Sequence, residues 1–423
     1  MKRVIRTDKV PQSPKPQSQV ISTDHFIFLS GHLATDYESG IAPEVAVDPS
    51  LPYCGSPPMV RQTGYMLRNM GAVLEAAGAG FENLIRIEQF MVGKDQSPWY
   101  PIARRAVMDP QHPTSTRVCA KGLEVPDAII VCDGIAINPD SGWKKETHDI
   151  DFIPKSITGY PAAQSYGPFV FVPGMVPTDF KTGIAPEAKS DSNFWIHSPI
   201  KQQAEFILGS KAKLYGELGL SLQDVVQASV YLTHMEDLPG LDYVWRQFFP
   251  ENPPARTVFP CDGLSVLGAQ IEVSTFALRP GGGLPRRNIV AKSIPAPLFH
   301  EPHAVKAGPY LFISGQLAAD GGGLVEEAWR NPKIPWYTSP IKSEVKNILK
   351  NVEAICEEAG GSLSDVVRSQ SVFLDMKDLH PAFEVWGEAF PADPPTNMSA
   401  EVSGPMPVPG CRSIWSLAAY IPE

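Results

Sequence analysis

Apolar and polar residues alternate along the middle of the chain with two different periods, and these periods predict strands and helices. Short β-rich runs indicate strands, whereas apolar residues spaced three and four apart indicate amphipathic helices. In order, the pattern predicts a strand at 169–172, a helix at 200–219, a strand at 224–233, a helix at 238–249, and strands at 256–260 and 269–278. Two helices on one face of a sheet are typical of an α+β sandwich.

One short sequence motif occurs three times along the chain. A glycine that follows an apolar run and precedes an aspartate by five residues stands at Gly31, Gly174 and Gly315, so the copies lie 143 and 141 residues apart. A period this long indicates whole domains rather than solenoid repeats of about 20 to 50 residues. We therefore expect tandem copies of one domain.

The copies suggest domains at 1–140, 150–280 and 290–423, joined by linkers near 138–157 and 279–296. The first strand of a following domain could begin inside a linker. A copy of about 140 residues buries roughly two-thirds of its unfolded surface, which is enough for its own core.

Composition and charge exclude several classes of function. The formal net charge of −10 argues against nucleic acid as a partner, and Lys201, Lys211 and Lys213 are interpreted as the solvated face of a helix. No apolar stretch is long enough to cross a bilayer. The basic start, Met1–Arg6, has no apolar core behind it and is not a secretion signal, so a cytoplasmic location is expected.

Residue types that hold metals or cofactors occur without the spacing that such sites need. Six cysteines have no C-x-x-C spacing and are interpreted as free thiols. His300 and His303 are separated by a proline that breaks helical presentation, and no third ligand is evident, so no metal is expected. The chain has no phosphate-binding glycine loop and no dinucleotide fingerprint, so no cofactor is expected.

Three motifs together resemble the reactive intermediate deaminase family, also called YjgF or L-PSP proteins. They are Pro254-Ala255-Arg256-Thr257-Val258, Ser314-Gly315-Gln316-Leu317 and Gln270-Ile271-Glu272-Val273. Members of this family are usually homotrimers, with outer helices, sheets lining a central barrel and ligand clefts between subunits. The resemblance implies three tandem chorismate mutase-like α+β domains that form an intramolecular pseudo-trimer with a central β-barrel.

The resemblance also implies a chemistry. The family hydrolyses imines and enamines such as 2-aminoacrylate, whose carboxylate must be held while water attacks the neighbouring carbon. Arginine binds a carboxylate through two parallel hydrogen bonds, and a carboxyl side chain can orient water and move protons. The motif places these two catalytic roles on Arg256 and Glu272, and the second copy alone keeps both residues.

The other copies keep only parts of this motif. The first copy has Arg117, which we align loosely with Arg256, followed by Cys119, and these are interpreted as substrate-binding residues of an altered cleft. Asp133 would substitute for the glutamate only if the strand register slipped by one residue. The third copy has Asn397 in place of the arginine.

Further residues complete the expected cleft. Tyr160 and Gly174 are interpreted as substrate-binding residues of the second copy. The alternative for each arginine is an interface salt bridge, and the alternative for the glycine is a backbone bend that only glycine tolerates. Trp195 and Trp336 stand at equivalent positions in an insertion and could be packing anchors or parts of a lid.

The leading hypothesis is a cofactor-independent hydrolase that deaminates a small imine or enamine carrying a carboxylate. One alternative is chorismatase-like hydrolysis of an enol ether, because chorismatases resemble this fold and also fuse its copies. Another is a non-catalytic protein that binds small carboxylates or acts as a scaffold. Ribonuclease activity is the least favoured hypothesis, because the net charge of the chain is negative.

Overall fold

The computed structural model of this protein describes residues 1–47, 50, 56–110, 112–190, 198–335 and 337–422. Trp195 and Trp336, whose role the sequence left open, lie outside the described residues. Within the described ranges the secondary structure forms three large sheets, each with its own pair of α-helices.

The first sheet is built from the N-terminal part of the chain. Its elements are β1 (Arg3–Ile5), β2 (Val20–Ser22), β3 (Phe26–His32), α1 (Pro58–Ala76), β4 (Leu84–Val92), α2 (Tyr100–Met108), β5 (Thr114–Ala120), β6 (Gly122–Leu123) and β7 (Ile130–Ile137). The strand order is β1-β2-β3-β7-β4-β5, while β6 pairs with the third sheet.

The second sheet repeats this order with β8-β9-β10-β13-β11-β12. Its elements are β8 (Lys145–His148), β9 (Ala163–Tyr166), β10 (Phe169–Met175), α3 (Pro199–Glu217), β11 (Val225–Leu232), α4 (Leu238–Phe248), β12 (Ala255–Pro260) and β13 (Ile271–Leu278). These bounds lie within a few residues of those that the apolar pattern predicted.

The third sheet has the order β14-β15-β16-β21-β19-β20-β6. Its elements are β14 (Arg286–Ile289), β15 (Ala304–Ala307), β16 (Tyr310–Gln316), β17 (Ala319–Asp320), β18 (Gly323–Leu324), α5 (Pro340–Glu358), β19 (Val366–Phe373), α6 (Leu379–Ala389), β20 (Thr396–Glu401) and β21 (Ser413–Tyr420). Strands β8 and β14 lie inside the two stretches that were interpreted as linkers.

Each sheet packs one face against its helix pair. The long helices α1, α3 and α5 all begin with proline, whose fixed φ suits the first helical position. The shorter helices α4 and α6 bury Trp245 and Trp386 beneath them. Apolar side chains of the helices and of the covered sheet faces form a separate core in each unit.

The opposite faces of the three sheets meet one another in the interior. One apolar cluster contains Phe28, Phe171 and Phe312, which come from β3, β10 and β16 of the three different sheets. At the sheet edges β5 contacts β10, β12 contacts β16 and β20 contacts β3. The expected closed barrel is not found, because none of the hydrogen-bonded strand orders in the described residues closes on itself.

Candidate active site

The carboxyl group of Glu272 marks the place where the first and second sheets meet. Glu272 lies on β13 and packs against Gly174 of β10, where an added Cβ atom would overlap Glu272 Oε1 and would lie 3.0 Å from Thr116 Cγ2 of β5. The Gly174 N–H also donates to Thr116 Oγ1 at 3.2 Å. Position 174 therefore requires glycine because of this close approach.

The surroundings of Glu272 keep a proton on its carboxyl group. Burial raises the pKa of Glu272 to about 8, and the charges of Arg117 and Lys211 offset only part of that effect. Its Oε2 atom is buried without a hydrogen-bond partner among the described residues. A carboxyl group with a pKa near neutrality can both donate and accept a proton, as general acid–base catalysis requires.

Lys211 lies close to this carboxyl group, and its interpretation as part of a solvated helix face was wrong. Its side chain is fully buried on α3, where Nζ donates to Pro173 O at 3.2 Å and to Thr275 Oγ1 at 3.4 Å. Burial, with a smaller effect of Arg86, lowers the pKa of Lys211 to about 7. The amine and the carboxyl group therefore both change protonation state near neutral pH.

Two arginines of the first unit stand at the same junction. The Cζ atoms of Arg104 on α2 and Arg117 on β5 lie 6.0 and 5.8 Å from the centre of the Tyr100 ring. Arg117 donates to Ser97 O at 3.4 Å, and Arg104 donates to Ser115 Oγ at 3.3 Å. In the part of the chain that the structure describes, neither arginine has a carboxylate partner.

Four predicted substrate-binding residues converge on this junction with Glu272. Burial raises the pKa of Tyr160 to about 12, and the charges of Glu272 and Arg117 also act on it. Burial likewise raises the pKa of Cys119, and the charges of Arg117 and Glu272 also act on this thiol. The Cys119 thiol is therefore neutral at physiological pH and is not an activated nucleophile. Together with Gly174 and Arg117, these residues form one cluster.

Arg256 does not belong to this cluster, and the structure contradicts its pairing with Glu272. Strand β11 separates the two residues, and the Arg256 side chain points to the junction with the third sheet. There its guanidinium donates to Asp242 Oδ1 and Glu301 Oε2, both at 2.8 Å, and stacks on Trp245 with Cζ 4.8 Å from the ring centre. Two carboxylates of the protein already compensate the charge of Arg256. Arg256 therefore fits the alternative interpretation, an interface salt bridge.

The corresponding partners are missing around the arginines of the first unit. Counting back 141 residues from Asp242 and Glu301 leads to Pro101 and Tyr160. Neither replacement carries a charge. Within the described ranges, the guanidinium groups of the first junction thus have no paired carboxylate, whereas Glu301 fills the equivalent place at the second junction.

Strand pairing also corrects the loose alignment of Arg117 with Arg256. The residues at equivalent register positions are Ser115, Arg256 and Asn397, paired with Ile87, Ala228 and Ser369. Arg117 therefore stands two residues further along β5. Since side chains alternate along a strand, a shift of two keeps it on the same face.

The third junction is occupied by a lysine. Asn397 stands there as predicted, and Lys15 Nζ donates to Asn397 Oδ1 at 2.7 Å and to Glu124 Oε2 at 2.6 Å. Both Lys15 and Glu124 are almost completely buried. A buried lysine–glutamate ion pair therefore stands at this junction beside Asn397.

The acid of Glu272 has no counterpart on the equivalent strands. Register places Val131 and Ile414 at its position, since Phe90, Tyr231 and Val372 pair with Val131, Glu272 and Ile414. Asp133 does not substitute, because the register does not slip.

Asp133 belongs instead to a buried ion cluster between the first and third sheets. Arg368 donates to both Asp133 Oδ2 and Glu88 Oε2 at 2.6 Å. Burial raises the pKa of Asp133 to about 6, whereas Arg86 and Arg368 outweigh burial and lower the pKa of Glu88 to about 2. The two arginines pair with the two carboxylates, and the cluster joins the sheets.

The comparisons with known proteins identify the family of the chain. A family model described as Endoribonuclease L-PSP matches residues 152–279 and 293–408, more than half of the chain. The chain belongs to this L-PSP family. The two matched stretches correspond to the second and third sheets, and the three sheets share one strand order.

Two relatives align with the chain over stretches of 117 and 86 residues. A RutC family protein of Pyrococcus horikoshii is 33% identical over 117 residues, which is 27% of this chain and 83% of that protein. The human 2-iminobutanoate/2-iminopropanoate deaminase is 31% identical over 86 residues, which is 20% of this chain and 54% of that protein.

Solved structures with similarity to the chain include RidA from an Antarctic Psychrobacter, with 27% identity, a TM-score of 0.26, and coverage of 32% of this chain and 99% of that chain. A chorismatase has 13% identity, a TM-score of 0.48, and coverage of 80% of this chain and 93% of that chain. Among the described residues, no helix combines the length and apolar character that a membrane crossing requires.

Sequence reasoning missed Arg104 and Lys211. A signal for both exists in the copies themselves. At the 141-residue offset, Arg104 corresponds to Trp245, and Lys211 corresponds to Met70 and Val352. A charged residue at a position that is apolar in the other copies indicates a buried charge, because burying one without a purpose is costly.

Proposed function

We propose that the cleft between the first and second sheets hydrolyses an imine or enamine that carries a carboxylate, without a cofactor. The observation that carries this proposal is that Arg117 and Arg104 meet Glu272 at a junction where neither arginine has an ion-pair partner among the described residues. Membership of the L-PSP family supports it, and the human relative is named as a deaminase of two small imino acids.

In this proposal the guanidinium of Arg117, with Arg104 beside it, holds the substrate carboxylate. The reaction is R–C(=NH)–COO⁻ + H₂O → R–CO–COO⁻ + NH₃. Water adds to the imine carbon, and the C–N bond of the resulting adduct breaks. The ionised fraction of Glu272, which grows as the pH approaches its pKa of about 8, takes a proton from the attacking water, and the protonated carboxyl group returns one to the leaving nitrogen. The charges of Arg117 and Lys211 keep the pKa of that carboxyl group from rising further.

The test is the rate of imine hydrolysis by purified full-length variants. We expect Arg117→Ala to lower kcat/KM at least about a hundredfold, because a charged donor to the substrate is removed. We expect Glu272→Gln to lower kcat by roughly a hundredfold or more, the range for a lost general acid–base. Arg68→Ala is the matched control, since Arg68 is an exposed arginine whose ion pair with Glu44 is also exposed.

Two outcomes would overturn the assignment. If Arg117→Ala keeps wild-type activity while the protein remains folded, the carboxylate anchor lies elsewhere. If the wild-type protein binds 2-oxo acids saturably but accelerates no imine hydrolysis, the chain is a binding protein and the catalytic proposal fails.

We further propose that the three units, with boundaries near 1–140, 150–280 and 290–423, form an intramolecular pseudo-trimer. The cycle of contacts from β5 to β10, from β12 to β16 and from β20 to β3 supports this arrangement. A compact chain of 423 residues has a radius of gyration of about 22 Å. Small-angle scattering that gives a value above about 30 Å would contradict it.

A further inference from the structure

The three junctions differ sharply in the space beside them. Each junction has a cavity next to one of the long helices α1, α3 and α5. Gly31, Gly174 and Gly315 each line one of the three cavities. The cavity beside Gly174 has a volume of about 1320 Å³, whereas the other two have about 50 Å³ each. Only the junction with the free arginines is therefore accompanied by a large cleft among the described residues.

Helix α3 carries small residues where it borders this cavity. Gly209 and Ser210 of α3 line the large cavity, and no described atom lies within 4 Å of a Cβ atom added to Gly209. At the 141-residue offset, the other helices carry Arg68 and Lys350 at the position of the glycine. Glycine inside a helix costs about 1 kcal/mol relative to alanine, and close packing does not require it here.

Apolar and aromatic side chains form part of the cavity wall. Phe206 of α3, Phe180 of the loop that follows β10, Ile150 and Tyr160 all line it. Phe180 has a φ of 55°, a left-handed conformation that costs a non-glycine residue about 1–2 kcal/mol. Charged residues of both signs also line the cavity, so it does not select a second charge.

We infer that the substrate of this cleft carries a bulky apolar or aromatic substituent on its carbon chain. The inference rests on the proposed function, because the carboxylate and the imine would sit at the Arg117–Glu272 junction. Arg117 and Glu272 do not line the large cavity themselves, but Gly174 and Tyr160 do, and both interact with Glu272. The substituent then extends over α3.

The volume decides between substrate classes. Pockets for drug-sized ligands measure about 300–1000 Å³, and this cavity of about 1320 Å³ exceeds that range. A substituent of one or two carbons would leave most of the space to water and would gain little from the aromatic wall. A phenyl or branched alkyl group would bury its apolar surface against Phe180 and Phe206, which contributes about 25 cal/mol per Å² buried.

The experiment compares two imines made in place from phenylalanine and alanine by an amino acid oxidase, with the residual imine trapped by semicarbazide. It also measures binding of the two product acids, 3-phenyl-2-oxopropanoate and 2-oxopropanoate, by calorimetry. The test variant is Gly209→Phe, which fills the cavity. Gly216→Phe is the matched control, since Gly216 lies on the same helix, is exposed and does not line the cavity.

We expect the wild-type protein to hydrolyse the phenylalanine-derived imine with at least tenfold higher kcat/KM than the alanine-derived imine. Gly209→Phe should remove that preference, and Gly216→Phe should keep it. Equal or better use of the small imine, with no effect of Gly209→Phe, would overturn the size inference and leave the proposed function intact. If neither imine is hydrolysed, the proposed function fails, and the binding preference of the two acids still decides the size inference.

Discussion

Replacement of Glu272 by glutamine tests whether burial holds this carboxyl group neutral. Glutamine keeps the shape of the side chain and cannot ionise. In the folded protein the pKa of Glu272 is raised from 4.5 to about 8. Between these values an unfolded chain ionises the carboxyl group while the folded chain does not, so the wild-type protein loses stability as the pH rises. Below pH 4.5 both states are protonated and this contribution is fully present.

The size of the effect follows from the interval between the two pKa values. At about 1.4 kcal/mol per pH unit, the interval from 4.5 to about 8 corresponds to at most about 5 kcal/mol. The free energy of unfolding of Glu272→Gln, minus that of the wild type, should rise by up to this amount between pH 4.5 and 8 and then stay level. Urea unfolding, followed by tryptophan fluorescence and circular dichroism from about pH 5 to 9, measures the difference.

Glu344→Gln is the matched control. Gln62 and Gln203 stand at the same position on the other long helices, so glutamine is compatible with this site. Burial raises the pKa of Glu344 to about 7, and its difference curve should therefore level off about one pH unit earlier. A Glu272→Gln curve that stays flat within about 1 kcal/mol across this pH range would refute the reasoning, because the carboxyl group would then ionise as it does in water.

Three other changes separate the roles of neighbouring residues. Lys211→Met, which copies Met70 of the first unit, should move the acidic limb of the pH profile of kcat/KM to a pH about one unit higher, because Lys211 lowers the pKa of the Glu272 carboxyl group. An unchanged profile would show that the amine is not coupled to that carboxyl group. Arg256→Ala should lower the free energy of unfolding by about 3–5 kcal/mol, because it leaves Glu301 unpaired. The folded variant should keep its activity within about twofold, and a large selective loss of kcat would identify Arg256 as the carboxylate anchor. Cys119→Ser should keep activity within about threefold, since burial raises the pKa of the thiol; abolished turnover in the folded variant would give the thiol a chemical role.

The candidate site was only partly predictable from the sequence. The motif singled out Glu272, Gly174, Tyr160 and Arg117, and the structure brings these residues to one junction. The choice of Arg256 as the principal anchor rested on a local Pro-Ala-Arg context, which carries no information about the residues that surround a side chain in space. Its partner Glu301 lies 45 residues away and approaches only when the second and third sheets pack together.

The sequence by itself determined the elements and their repetition. Apolar periodicity reports which face of a helix or strand is buried, and this is a local property that each copy states independently. The tertiary structure decided which cation remains free to hold a ligand, because compensation of a charge depends on carboxylates that other segments bring within hydrogen-bond distance. It also decided where the open volume lies, since a cavity is bounded by residues such as Tyr160 and Gly209 that no local pattern connects.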